Sequence, residues 1–463
     1  MNLKKILLLL LALCLTAGGC GSTQTADGGE SKPADADPGT AAAEAGEPGE
    51  PGEPNETEEE NEMTEEPLNT PAAQAAALRE ELWTAYCEKE RADETRLSET
   101  ADHVMKYDGV KMKYGVKVVG KPDENGLYPL YIALHGGGSD PTGEINEDQW
   151  RQMATYYKTG VKNGVYVNPR AVRDTWDCHS NPESYPLYDR LIENMILFEN
   201  VDPNRVYLLG FSAGGDGVYQ ITPRMTDRFA AANMSAGHPN GVKLENLYNM
   251  PLQLQVGEKD TAYNRNKVTA EYHVMLDKLT SQYGGGYIHR TNIHLDHGHN
   301  FADYDDAEHK IVADAAAYFK SGDTTSTKAV TSALRFADTY TRDPLPETVV
   351  WNLSVRAKKR DVKSFYWLSC PYTVTQGVIT AHADTENNTI TIEAKGVSSS
   401  NYTVLLTTRM FDFEKPVTII VGGETYEYQP EVRREVMEET LAERGDPNYI
   451  FEDMVNIKEL KNG

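Results

Sequence analysis

The sequence predicts an α/β fold in its middle region, followed by a smaller all-β module. Between about residues 107 and 325, short apolar runs alternate with amphipathic stretches of helical period. Such alternation favours right-handed crossovers and a mostly parallel sheet with helices on both faces. The predicted strands are 130–134, 165–168, 206–209, 230–234, 252–256 and 288–295, and the predicted helices lie near 146–160, 186–199, 214–227, 265–283 and 303–320.

Two flanking regions show different patterns. Residues 71–106 combine spaced apolar positions with many charges, which predicts one or two surface helices. Residues 345–430 contain closely spaced strand-like runs, which predict a small β-sandwich-like module, and 431–463 are charged and predict a helical or irregular tail. The adjacent Tyr366 and Trp367 should face opposite sides of a strand, which favours a structural module over a carbohydrate-binding one.

The N-terminus has the layout of an export signal. Lys4 and Lys5 precede the apolar run 6–15, and small residues then lead to Cys20. The run is too short for a bilayer span, which needs ~20 residues. Residues 1–20 resemble a bacterial lipoprotein signal, in which Cys20 becomes the lipidated first residue; an ordinary signal peptide is the alternative. We therefore expect an exported protein, lipid-anchored to the outer side of a bacterial membrane.

Residues 21–70 predict a disordered acidic linker. They are rich in Gly, Pro, Ala and Glu and repeat Gly-Glu-Pro three times over 46–54. As a coil, this segment would span roughly 40 Å and hold the folded part away from a lipid surface. The whole chain carries a formal net charge of -26. An acidic surface repels phosphate backbones, so no nucleic-acid partner is expected.

Three cysteines remain beyond the signal, namely Cys87, Cys178 and Cys370. They are widely spaced, which fits neither a disulfide framework nor a metal-ligand motif. At most one pair among them can form a disulfide, and the spacing leaves open which one.

The motif Gly-Phe-Ser-Ala-Gly at 210–214 is the strongest chemical signal. It stands between the predicted strand 206–209 and a predicted helix, where a sharp turn would lift the side chain of Ser212 to the carboxyl end of the sheet. Gly210 and Gly214 supply the small flanks that this turn requires. Ser212 is therefore the candidate nucleophile; a glycine-rich turn with an inactive serine is the alternative.

A glycine loop follows the strand 130–134, with the sequence His-Gly-Gly-Gly-Ser at 135–139. Such a loop lets backbone N–H groups approach a developing oxyanion, together with the N–H after the nucleophile. These two donors are predicted to be Gly137 and Ala213. His135 is expected to support the loop or border the substrate pocket. A phosphate loop is the alternative, but the Gly-Lys-Ser/Thr signature is absent.

The acid and the base have two candidates each. Asp260 and Glu258 follow the predicted strand 252–256, and either carboxylate could orient an imidazole, with Asp260 preferred. His299 and His297 follow the last predicted strand, and His299 is preferred because Gly298 precedes it. The histidine-rich tract lacks an H-E-x-x-H motif and a cysteine partner, so we expect no metal, and no cofactor is implied.

Taken together, these motifs resemble the α/β-hydrolases. Over roughly 110–320 the chain looks like the esterase branch that includes feruloyl esterases, polyhydroxybutyrate depolymerases and prolyl oligopeptidase catalytic domains. This resemblance implies an ester hydrolase with a Ser212–His299–Asp260 triad, acting through an acyl-enzyme on esters of a polymer or of a cell-wall or dietary polysaccharide. A serine peptidase and a non-catalytic binding lipoprotein are the alternatives.

Trp176 is the remaining candidate for a substrate contact. It lies on a predicted loop after the strand 165–168, at the same edge of the sheet as Ser212. The loop position allows Trp176 to line an acyl or sugar pocket. The alternative is a surface tryptophan that covers the core.

Overall fold

The computed structural model describes residues 70–306 and 308–462, which belong to one compact unit spanning 66–463. The predicted signal at 1–20 with Cys20, and all of the predicted linker except Thr70, lie outside the described residues. Among the described helices, none is both long enough and apolar enough to cross a membrane.

A ten-stranded sheet forms the centre of the molecule, with the strand order β1-β2-β4-β3-β5-β6-β7-β8-β9-β10. The strands β4, β3, β5, β6, β7 and β8 run parallel, whereas β1 and β2 at one edge and β9 and β10 at the other are antiparallel. The strands are β1 (Val104–Tyr107), β2 (Val110–Val119), β3 (Tyr128–Leu134), β4 (Gly164–Pro169), β5 (Val201–Phe211), β6 (Ala231–Ser235), β7 (Leu252–Gly257), β8 (His289–His294), β9 (Lys310–Val312) and β10 (Thr327–Ala329).

Helices cover both faces of this sheet, as the sequence predicted. Successive residues of β3 enter two different cores, one on each face of the sheet. Ile132 packs in the same core as Leu191, and Tyr131 packs in the other core with Met153. This double coverage explains why the central strands are nearly continuous apolar runs. The helices around the sheet are α3 (Glu144–Tyr156), α4 (Ser184–Phe198), α5 (Ala213–Ile221), α6 (Arg265–Tyr283), α7 (Ala315–Ser321) and α8 (Ala333–Ala337).

The edges of the sheet differ from the prediction. Strands β1 and β2 were not predicted, because alternating lysines in β2 expose one face and hide the apolar run. The helix predicted over 303–320 is wrong in its first half. Residues 310–312 instead pair with β8 and β10, and only α7 is helical there.

Two N-terminal helices are present, α1 (Pro71–Arg91) and α2 (Glu94–Asp102). Leu82 of α1 packs against Met437 and Leu441 near the C-terminus. The guanidinium of Arg96 in α2 is buried and donates to Glu193 and Asn194 of α4. These contacts fix both helices to the rest of the unit.

The C-terminal region is a sandwich of two sheets around one core. A five-stranded sheet has the order β11-β14-β15-β17-β18, and a four-stranded sheet has the order β12-β13-β16-β19. Ile379 and Ile390 from the first sheet and Val404 from the second share this core. The strands are β11 (Thr348–Asn352), β12 (Ser364–Phe365), β13 (Leu368–Ser369), β14 (Val378–Asp384), β15 (Thr389–Lys395), β16 (Thr403–Leu406), β17 (Val417–Val421), β18 (Glu424–Tyr428) and β19 (Asp453–Asn456).

Two expectations for this region need correction. The predicted helix in the tail is present as α9 (Arg434–Arg444), but the residues after it are not irregular: β19 completes the four-stranded sheet, and α10 (Ile457–Asn462) follows. Tyr366 and Trp367 occupy the turn between β12 and β13, and both are buried. They are core residues, so neither offers a ligand surface.

Buried ion pairs join the C-terminal region to the central sheet and its helices. Arg360 and Arg228 both donate to Asp189 of α4, at 2.6 and 2.8 Å. Arg342 donates to Asp446 at 2.8 Å, and both side chains are almost fully buried. Burial raises the pKa of Asp446, but the neighbouring Arg342 and Arg228 outweigh it and hold that pKa below its usual range.

The three cysteines Cys87, Cys178 and Cys370 are all free and buried. Within the described residues, they therefore form no disulfide with one another.

Candidate active site

Ser212 sits in a strained turn between β5 and α5. Its backbone angles are φ 57° and ψ -120°, a conformation that L-residues rarely adopt and that clusters at functional sites. A Cβ at Gly210 or Gly214 would lie under 3.0 Å from backbone atoms, so both positions require glycine. The Ser212 N–H donates to Ser235 O of β6 at 2.9 Å, which ties the turn to the next strand. The packing therefore holds the strain in place.

His299 lies between Ser212 and Asp260. Its Nε2 is 2.9 Å from Ser212 Oγ, and its Nδ1 is 2.8 Å from Asp260 Oδ2. The imidazole side chain is 35% exposed, whereas the Asp260 side chain is 2% exposed. An Nδ1–H donated to the carboxylate leaves the lone pair of Nε2 facing the serine hydroxyl. This arrangement can take a proton from Ser212 and stabilise the imidazolium that forms.

The turn after β7 presents Asp260 rather than Glu258 to the histidine. The Asp260 N–H donates to Gly257 O at 3.0 Å, and its carbonyl accepts from the Asn266 N–H at 3.1 Å. Arg265 adds a charge contact of 3.5 Å to the second carboxylate oxygen. Glu258 contributes its carbonyl oxygen to the Asn266 side chain instead.

His297 points away from Ser212. Its Nδ1–H donates to Leu295 O at 2.6 Å, and its ring stacks on His309 with a centroid separation of 4.7 Å. Gly298, the reason for preferring His299, has no positive φ and open space around its Cα. The residue that does require glycine is Gly257, where a Cβ would collide with the Gly298 carbonyl.

The glycine loop lies directly against Ser212. A Cβ at Gly136 would be 3.3 Å from Ser212 Cβ. Asn146 of α3 fixes the loop from behind, because its Oδ1 accepts from the Gly138 N–H at 2.9 Å and its Nδ2 donates to Gly138 O at 2.8 Å. A Cβ at Gly137, whose φ is +123°, would collide with Asn146. Asn146 is a positioning residue that the sequence motifs did not reveal.

The two expected oxyanion donors remain available. Within residues 70–306 and 308–462, neither the Gly137 N–H nor the Ala213 N–H donates to another protein group. Ala213 is the first residue of α5, so its N–H belongs to the unpaired end of that helix. Both groups are therefore free to bind a developing negative charge.

His135 supports the loop and is not exposed to a ligand. Its Nε2 accepts from the Ala171 N–H at 3.0 Å, and its Nδ1–H donates to Gly136 O at 2.6 Å. Burial lowers the pKa of His135 well below its usual range, and burial lowers the pKa of the adjacent His179 to about 4. Both rings are therefore neutral supports at ordinary pH. The pocket position considered for His135 is wrong, because the ring is fully buried.

A cleft of about 680 Å³ opens beside Ala213. Trp176 lines it with 60% of its surface exposed, so it does not serve to cover the core. The Trp176 ring also packs against the glycine loop, 2.7 Å from where a Cβ of Gly138 would lie. Arg356 and Lys358, which follow β11, also line the cleft. The segment after the first sandwich strand therefore contributes to this cleft, a role that the sequence did not suggest.

The known proteins that resemble this chain match only parts of it. No protein-family model matches the chain. A stretch of 114 residues is 31% identical to a bifunctional acetylxylan esterase/xylanase from Neocallimastix patriciarum, covering 24% of this chain and 16% of that protein. The chain thus spans far less than two thirds of that relative.

Two solved structures are also similar to parts of the chain. A thermostable esterase is 20% identical with a TM-score of 0.32, covering 52% of this chain and 62% of that one. A ferulic acid esterase is 15% identical with a TM-score of 0.29, covering 42% of this chain and 90% of that one.

The mostly parallel sheet, the crossover from β4 to β5 past β3, and the strained turn at Ser212 after β5 confirm the fold class that the sequence predicted. The chain therefore has the α/β-hydrolase fold, with two additional sheets near its C-terminus.

Proposed function

We propose that the protein is a serine ester hydrolase in which Ser212, His299 and Asp260 form the catalytic triad. The observation that carries this proposal is the continuous chain of contacts from Ser212 Oγ through His299 to Asp260, with separations of 2.9 and 2.8 Å. At these separations, His299 can accept the proton of the Ser212 hydroxyl without a rearrangement of the site.

The reaction would proceed in two halves. Ser212 Oγ attacks the ester carbonyl carbon while His299 Nε2 takes its proton, and the resulting oxyanion accepts hydrogen bonds from the N–H groups of Gly137 and Ala213. Collapse of this intermediate breaks the C–O bond, and the alcohol leaves with the proton from His299. Water then attacks the acyl-enzyme with His299 again as the base, which frees the acid and Ser212.

The cleft beside Ala213 supports a polar, sugar-linked substrate. Trp176 and Tyr263 offer exposed aromatic faces, and the polar side chains of Gln220 and Asn240 also line the cleft. Aromatic faces with a few placed polar groups are the usual composition of small-molecule sites. The curated relative named an acetylxylan esterase/xylanase is consistent with a polysaccharide-linked ester.

The cellular location remains part of the proposal. We infer from the sequence at 1–20 that the protein is exported and carries lipid on Cys20, anchoring it to the outer side of a bacterial membrane. Metabolic labelling with a palmitate analogue tests this inference. Label should appear on the wild-type chain and disappear from a Cys20→Ala variant; equal labelling of both would contradict it.

The catalytic proposal is tested by comparing the wild type with Ser212→Ala on three substrates. These are an acetylated xylan oligosaccharide, a feruloyl ester and a peptide p-nitroanilide. We expect the wild type to hydrolyse at least one ester and the variant to lose that activity while keeping its circular dichroism spectrum. Cleavage of the anilide alone would favour a peptidase, and activity retained by Ser212→Ala would contradict the triad.

A further inference from the structure

Three potential metal ligands converge far from Ser212, at the amino-terminal end of β8. His273 and Asp277 lie one helical turn apart on α6, and His289 is the first residue of β8. One nitrogen from each histidine and one carboxylate oxygen all lie within 4.8 Å of one another. No residue of the proposed triad belongs to this group, so the group is separate from the ester-hydrolysing site.

The two rings are already oriented for coordination. His289 Nδ1–H donates to the Tyr287 carbonyl at 2.8 Å, and His273 Nδ1 lies 3.1 Å from Thr291 Oγ1. A histidine whose Nδ1 is held by a carbonyl or hydroxyl presents its Nε2 lone pair, as metal-binding histidines usually do. Both Nε2 atoms face the same carboxylate.

The spacing of the ligand atoms matches a tetrahedral ion. Asp277 Oδ1 is 3.4 Å from His289 Nε2, and Asp277 Oδ2 is 3.7 Å from His273 Nε2. Ligands at ~2.0–2.1 Å from a tetrahedral zinc ion lie roughly 3.3–3.4 Å from one another. The two measured distances end on different oxygens of the Asp277 carboxylate, and the three ligand atoms lie within 4.8 Å of one another, so the carboxylate and the two rings would move inward to share one ion.

We propose that His273, Asp277 and His289 bind a divalent transition-metal ion, with Zn²⁺ as the best match to two imidazoles and one carboxylate. Water would complete the tetrahedron, because the group opens on a cleft of about 630 Å³. Lys328 lines the same cleft, so the affinity should be lower than that of a closed four-ligand site. This proposal departs from the expectation, drawn from the sequence, that the chain binds no metal.

The position of the site implies a structural role. Helix α6 begins at Arg265, shortly after Asp260, and β8 ends at His294, shortly before His299. The glycine-rich turn 284–288 joins these two elements. A metal bridging α6 and β8 would close this turn and brace the two elements that flank the acid and the base. The ion would stabilise the fold without taking part in ester hydrolysis.

Isothermal titration and thermal melting of the chelator-treated chain with ZnCl₂ test the proposal. We expect one Zn²⁺ per chain and a rise in Tm on addition of the metal. His289→Gln should weaken binding at least about tenfold and remove the Tm rise, since even outer-shell changes cost 10- to 100-fold. His382→Gln, at an exposed histidine of β14, is the matched control and should behave as the wild type.

A second measurement guards against binding elsewhere. Cobalt in a tetrahedral site of this kind should give visible absorption. His273→Gln should abolish this absorption, and His309→Gln, at a histidine that stacks on His297, should leave it intact. The proposal is overturned if no stoichiometric metal binds. It is also overturned if binding survives His273→Gln and His289→Gln but is lost in His309→Gln.

Discussion

Replacing Asp260 by asparagine isolates the electrostatic role of its carboxylate. The side chain is 2% exposed, and one oxygen lies 2.8 Å from His299 Nδ1. Asparagine has nearly the same shape, so Asp260→Asn should remove the charge without opening a cavity. Its amide can donate to Nδ1, which would move the imidazole proton to Nε2. That tautomer cannot accept the Ser212 proton.

The expected loss follows from the geometry. An imidazolium and a carboxylate with charge centres roughly 4 Å apart interact by about 4 kcal/mol at an effective dielectric constant of ~20. At about 1.36 kcal/mol for each tenfold change, this interaction corresponds to roughly three orders of magnitude in rate. The wrong tautomer adds to the loss, and the same change in a serine protease triad costs roughly 10⁴ in kcat. We therefore expect kcat to fall by roughly 10³–10⁴.

Steady-state hydrolysis of p-nitrophenyl acetate measures this loss. KM should change little, because Asp260 does not line the cleft beside Ala213. Glu258→Gln is the matched control and should keep its activity, while thermal melts establish that both variants fold. If Asp260→Asn stays within tenfold of the wild type, or if Glu258→Gln loses as much activity, the assignment of the acid is refuted.

Three further predictions concern the fold and the glycine loop. Gly214→Ala should destabilise the protein by roughly 1–3 kcal/mol in urea unfolding, because the new Cβ would collide with a carbonyl of β3. Gly298→Ala is the control and should leave the stability nearly unchanged, since its Cβ would meet open space. Equal losses of stability in the two variants would contradict this packing. Asn146→Ala should lower kcat by roughly tenfold or more in the same ester assay, because the loop that carries an oxyanion donor loses two hydrogen bonds between Asn146 and Gly138. An unchanged kcat would contradict this role of Asn146. Asp446→Asn should cost roughly 3–5 kcal/mol at neutral pH, because the buried Arg342 and Arg228 lose the carboxylate that they share. The pKa of Asp446 is lower in the folded protein than its unfolded value of ~3.9. The carboxylate should therefore stabilise the fold above pH ~3.9, and this contribution should disappear as the pH falls further. The unfolding free energies of the variant and the wild type should then converge in acid.

The central sheet was predictable because its signals are local. Each parallel strand is an apolar run, and each crossover helix repeats at the helical period. The motif around Ser212 was equally readable, since a turn this tight admits only glycine at 210 and 214. The order of serine, aspartate and histidine along the chain then narrowed the candidates for the acid and the base.

Features that depend on distant partners were not predictable in the same way. Asn146 carries no motif, and its role appears only where α3 brings it behind the glycine loop. The residues after Gly445 looked like a charged tail, yet Asp446 is buried against two arginines and β19 completes a sheet. The periodicity of a charged sequence does not reveal such pairing, because charged side chains are usually exposed.

The wall of the cleft formed by Arg356 and Lys358 was missed for a related reason. Both residues lie at the start of the C-terminal region, more than a hundred residues beyond Ser212 in the sequence. Only the packing of the sandwich onto the hydrolase sheet brings them to the cleft. The region 107–325 alone would therefore lack two of the positively charged side chains that line the cleft.

The most direct test of the central claim is mass spectrometry of the chain after treatment with a fluorophosphonate probe. Such probes label serines that an adjacent base has activated, so we expect one adduct per chain, on the peptide containing Ser212. The adduct should be lost in both Ser212→Ala and His299→Ala, while Trp176→Ala retains it. An unlabelled wild-type chain, or an adduct on another serine, would contradict the proposed triad.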